Sequence, residues 1–173
     1  MQRTLIEVPH MVFWVPIISW LAALAFAAVS VARAPGPRGF ALITDRLLRY
    51  INLIPLGLMG LWGALGHIVF PAESAQAIGW ATSPFQTEVG AANLGIGLVG
   101  VIAAFYSSWG FRLAAAVMAA GFLGGAAAVH VVEIASTGNL APGNAGPILY
   151  TDVLTPLSLL ILSALTFRSA RAR

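Results

Sequence analysis

His67, Glu88, His130, Glu133 and Asp152 are the residues of this 173-residue chain whose types and placement could do chemistry. Imidazole and carboxylate groups are suitable ligands for Fe, Mn or Zn. The same groups can pass protons to and from a bound molecule. His130 and Glu133 stand three residues apart, so on a helix they share a face. Glu88, Glu133 and Asp152 have no Arg near them in the chain. Three carboxylates without cationic partners cannot all stay ionised in a low dielectric. Protons, a charged imidazole or a metal ion must make up the deficit. The pattern leaves three readings open: a divalent metal site, a structural hydrogen-bond network, or a proton-accepting or substrate-binding site without metal. Haem is a fourth, with His67 and His130 as ligands from two helices. There is one His-x-x-Glu element, not the two Glu-x-x-His elements of di-iron bundles. Asn93 could donate a hydrogen bond behind such a site, and Trp80 and Gln86 could cover it. The chain has no Cys, which excludes thiol catalysis, Cys-ligated zinc and iron–sulfur clusters.

The elements that must position these residues follow from composition. The chain is 59% hydrophobic and 9% charged, against about 25% charged residues in soluble domains. A soluble enzyme, a disordered chain and a disulfide scaffold are all poorly matched. A membrane-spanning helix needs about 20 mostly apolar residues. Stretches 11–32, 50–71, 88–109, 112–135 and 148–167 qualify. The first is too long for the apolar core of a cleaved signal peptide and reads as a retained helix, bent near Pro16. Residues 40–49 read as a short interfacial helix in which Asp45 and Arg49 can pair at i,i+4. All nine basic residues are Arg. Arg33, Arg38, Arg46, Arg49, Arg112, Arg168, Arg171 and Arg173 fall on one side of a five-helix topology, and Arg3 on the other. The positive-inside rule then places the C-terminus in the cytoplasm and the N-terminus outside. Tyr50, Tyr106 and Trp109 mark the inner boundary; Trp14, Trp80 and Tyr150 mark the outer one. The expected fold is all-α: a polytopic transmembrane bundle of five helices, with helices two to five as a core four-helix bundle.

In that topology the site residues, with His10, reach a common depth near the outer face. Gly57, Gly60, Gly63 and Gly66 in helix two, and Gly90, Gly95, Gly97 and Gly100 in helix three, predict close backbone packing. Gly121, Gly124 and Gly125 do the same in helix four. The outer segment from Pro71 to Thr87 reads as a non-helical lid, with Ile78, Trp80 and Phe85 folding back over the cluster. Ser83-Pro84 signals the start of helix three. Residues 136–147 read as irregular, without the Gly-Lys element of a nucleotide loop. No internal repeat supports a transporter built from inverted halves.

The string Gly66-His67-Ile-Val-Phe-Pro71, Ile78-Gly-Trp80, Ser83-Pro-Phe-Gln-Thr-Glu88 and Gly90-Ala-Ala-Asn93-Leu-Gly-Ile-Gly97 resembles an uncharacterised family of small bacterial integral membrane proteins. More distantly, residues 50–167 are similar to the DoxX-like four-helix membrane group. There a Glu opens the helix after the Pro-containing outer loop, and Glu88 takes that place. Some members of that group are associated with quinone-linked sulfur oxidation. The likeness implies a fold more than an activity, and helix one is additional to it.

The expectation for function is a bacterial inner-membrane protein with a His/carboxylate site near the outer face. That site would bind a metal ion or handle protons in a redox or small-molecule process. The rival is a non-catalytic accessory or scaffold subunit of a larger membrane complex. Expected partners are the lipid bilayer, other membrane subunits or a second copy of the chain, and not nucleic acid.

Overall fold

The computed structural model describes the backbone of residues 7–171 and the side chains of residues 12–167. Arg3 and Arg173 lie outside the described residues, as do the side chains of His10, Arg168 and Arg171. Among the described residues there is helix and no strand. Eight α-helices follow in order: α1 (Glu7–Ala32), α2 (Phe40–Ile51), α3 (Met59–Val69), α4 (Pro71–Ile78), α5 (Phe85–Phe105), α6 (Trp109–Thr137), α7 (Pro142–Ala145) and α8 (Pro147–Arg171). Asn52–Leu58 is a π-helical stretch joining α2 to α3. Five segments are long and apolar enough to cross a membrane: Val12–Ala32, Phe40–Val69, Phe85–Phe105, Trp109–Thr137 and Pro142–Phe167.

The second of these is one rod of 30 residues. The stretch read as a short interfacial helix, 40–49, runs without a break into the rest of this segment. Thr44, Leu48 and Ile51 are buried along it, where α2 packs on α1 and α8. The π-helical stretch surrounds Pro55. Proline has no N–H, and its ring crowds the carbonyl four residues earlier, here that of Ile51. Widening the turn relieves both. The Asn52 side chain, fully buried, donates to the Leu48 carbonyl at 2.8 Å. Pro16 sits inside α1, which continues through it to Ala32.

Two seams hold the bundle. Along the first, α5 packs on α3 and on the π-helical stretch. A Cβ placed on Gly97 would lie 2.7 Å from the Leu61 backbone nitrogen, and one on Gly100 2.6 Å from that of Gly57. Those positions must be Gly for the backbones to approach so closely. The second seam joins α6 to α8, over Ala115, Ala116, Ala119 and Leu159. Gly95, Gly121, Gly124 and Gly125 face open space, so they are not packing positions within this chain.

The end carrying α2 and the α5–α6 turn is pinned by charge. Arg112 is 4% exposed. It donates from Nε to the Ala103 carbonyl at 3.0 Å and from Nη1 to Asp45 Oδ1 at 2.7 Å. Asp45 also meets Arg46 at 3.3 Å. The expected partner, Arg49, instead lies over the rings of Tyr50 and Phe105. Asp45 thus ties the second span to the fourth.

Candidate functional site

At the opposite end the bundle encloses a cavity of about 910 Å³. Side chains from α1, the π-helical stretch, α3, α4, α5, α6 and α8 line it. The lining is mostly apolar and aromatic, with Trp20, Trp62, Trp80, Phe70 and Phe122 among its residues. That composition, with a few convergent polar groups, is typical of small-molecule sites.

Two imidazoles reach the cavity, each fixed by an amide. His67, near the end of α3, has Nδ1 2.6 Å from Gln86 Oε1. Gln86 is 2% exposed, held in the first turn of α5. His130 on α6 has Nδ1 2.7 Å from Asn144 Oδ1. Asn144 is fully buried and donates from Nδ2 to the Asn139 carbonyl at 2.7 Å. That donation turns Oδ1 toward His130. An amide oxygen only accepts, so with the amides oriented in this way both imidazoles donate from Nδ1. Each Nε2 is left for other partners.

For His130 that partner is Asp152, buried on α8, with Oδ2 3.8 Å from Nε2. The distance is too long for a direct hydrogen bond. With Nδ1–H committed to Asn144, the two groups attract only when a proton sits on Nε2 or on the carboxyl. Thr155, one turn further along α8 and also buried, accepts from Trp20 Nε1 at 3.3 Å. Trp20, Thr155 and Asp152 all line the cavity.

The roof is knit from two segments. Asn139 donates to the Ile78 carbonyl at 2.9 Å, joining the chain before α7 to the end of α4. Gly79 ends α4 at φ +84°, a left-handed conformation that favours Gly. Segment 71–78 is therefore a helix, not the irregular loop read from the sequence. Pro71 at the first position of α4 is the signal that reveals it. Ile78, Trp80 and Phe85 do line the cavity. Ser83 makes no side-chain cap on α5.

The expected five-residue ligand set does not assemble. Among the described residues no three of His, Asp and Glu form a group that could hold a metal ion. His67, His130 and Asp152 share the cavity, whereas Glu88 and Glu133 are not among its lining residues. Glu88 is exposed, because it lies two residues beyond inward-facing Gln86, about 200° around the helix. Glu133 is half-buried, about 4.5 Å nearer the helix end than His130. Asn93 lines the cavity against Gly63, with its Nδ2 donating to the Val89 carbonyl at 3.0 Å. Glu73 on α4, which sequence reasoning left out of the site, is exposed and stands at the rim. Asn139 and Asn144 were also missed, since Asn among Gly and Pro reads as a turn.

The match with known families covers residues 13–172, almost the whole chain, and is to DUF6790, described as a family of unknown function. The chain belongs to the DUF6790 family. The expectation of an uncharacterised family is met in that match. No curated protein and no solved structure matches the chain.

Proposed function

We propose that this DUF6790 protein binds an amphipathic small molecule in the cavity and exchanges a proton with its polar head. The observation that supports this is the convergence of two amide-fixed imidazoles and a buried carboxyl on one apolar chamber. A purely structural network would satisfy both nitrogens of each ring with protein groups. Here both rings commit Nδ1 to an amide, and Asp152, which faces His130 Nε2, stands 3.8 Å away, beyond a direct hydrogen bond. His130 and Asp152 are the proton-exchanging pair, and His67 orients the head from across the chamber. Trp20, Trp62 and Trp80 receive the apolar body.

The proposed setting is the bacterial cytoplasmic membrane, with the arginine-bearing end in the cytoplasm and the cavity near the outer face. Arg33, Arg38, Arg46, Arg49 and Arg112 support that orientation. Reporter fusions after Arg173 test it, and a fusion active only outside the cell would reverse it.

Native mass spectrometry of protein extracted from its own membrane tests the binding. A non-phospholipid adduct at one per chain is expected, lost in both His130→Ala and Asp152→Ala. An extracted chain with no adduct, or an adduct indifferent to both substitutions, would contradict the proposal.

A second reading has one specific observation behind it. Histidines that donate from Nδ1 and present Nε2 are also suited to ligating haem iron. Asp152 beside His130 Nε2 weighs against it. An absorption spectrum of the extracted protein decides, since bis-histidine haem gives an intense Soret band and its absence removes this reading.

A further inference from the structure

We infer that the ligand is a membrane-dissolved lipophile whose head bears a hydroxyl group, and that it enters sideways between α5 and α6. The inference rests on the proposed binding role and adds the head-group chemistry and the route.

The head group follows from the His130–Asp152 gap. Nε2 and Oδ2 stand 3.8 Å apart, and one oxygen atom can sit about 2.8 Å from both. With one proton on the pair, one partner donates and the other accepts. The atom bridging them must accept from the first and donate to the second. A hydroxyl does both, whereas an ether or ketone oxygen only accepts. His67 Nε2, also a lone pair, favours a donor in the same way.

The route follows from the walls. α5 is packed on α3 and α6 on α8, while α5 and α6 share far fewer contacts. Phe85 on α5 and Val129 on α6 both line the cavity, yet they are 54% and 46% exposed. Side chains that face a cavity and the outside together mark its edge. Val129 stands eight residues from the end of α6 at Thr137, about 12 Å along the axis. That depth is within the apolar layer, not the headgroups. The roof above is tied by the Asn139–Ile78 hydrogen bond, so we take the flank as the approach.

The experiment uses the full chain in lipid nanodiscs with two probes, 4-octylphenol and its methyl ether. Tryptophan fluorescence reports occupancy, since Trp20, Trp62 and Trp80 line the cavity. Saturable quenching by the phenol is expected, with the ether at least tenfold weaker. His130→Phe should bring the two probes within threefold of each other. Val129→Phe, which enlarges a side chain at the exposed edge of the cavity, should slow quenching by the phenol at least fivefold. Equal binding of phenol and ether overturns the hydroxyl assignment. An unchanged rate in Val129→Phe overturns the lateral route. Failure of both probes to quench the unmodified protein sinks the cavity as a binding site, and with it the proposed function.

Discussion

The two ends of the bundle hold buried polar groups in opposite ways. At the arginine end, Arg112 divides its donors between the Ala103 carbonyl and Asp45, and small side chains fill the space around it. Both of these partners belong to the protein itself. At the histidine end, each imidazole spends one nitrogen on an amide and lines a chamber of about 910 Å³, with His130 Nε2 3.8 Å from Asp152. The first arrangement can only hold helices together. The second leaves hydrogen-bonding capacity for something else, and that unspent capacity distinguishes a candidate site from a staple.

Substitutions can break this contrast or sharpen it. The largest effect is expected at the seam between the rods. Gly97→Val would drive a side chain into the Leu61 and Gly57 backbones, and the overpacking should cost about 3 kcal/mol. Thermal unfolding in detergent would show a collapsed transition; an unchanged midpoint would mean the seam is not as tight as described. Next is Arg112→Leu, which leaves Asp45 without its buried partner. Asp45 is 35% exposed, so the cost should be about 2 kcal/mol, below that of a fully buried pair. Ligand occupancy should follow stability there and show no separate loss.

Asn144→Ala should cost about 1–2 kcal/mol, the range for removing the partner of a buried hydrogen-bonded group. It should also free the His130 ring to change tautomer. Its loss of ligand should exceed that of Arg112→Leu although its loss of stability is smaller. Equal ratios in the two variants would erase the distinction between the ends. The smallest effect belongs to Gly121→Ala, on a face where a Cβ meets nothing within 4 Å. A change within about 0.5 kcal/mol is expected. A larger loss would reveal that another helix covers that face in the membrane.

The five long apolar helices were legible because their signal is an average over some 20 residues and no single position decides it. The cavity residues depend on angles, and a few were not legible. Gln86 and Glu88 differ by two positions, yet one is buried and the other exposed. Without knowing where α5 begins, nothing in the sequence says which of these side chains turns inward. Asp45 finds Arg112, 67 residues away, in preference to Arg49 one turn on, because tertiary packing outweighs a local pair worth a few tenths of a kcal/mol. His67, His130 and Asp152 stand out in the sequence as polar residues inside apolar stretches, and all three line the cavity. Of their amide supports, Gln86 reads from the sequence as a covering group, whereas Asn144 is hidden in a segment that reads as irregular.

The widened turn at Pro55 has an outcome beyond accommodating one imino acid. A π-helical turn spends an extra residue, and each residue advances an α-helix by about 100°. The rod from Phe40 to Val69 is therefore out of phase with itself on either side of the wide turn. Its lower half aims Thr44 and Leu48 at α1 and α8, while its upper half aims Trp62 and His67 at the chamber. Deleting a single residue there would swing the imidazole around the axis while leaving the local sequence of both halves intact.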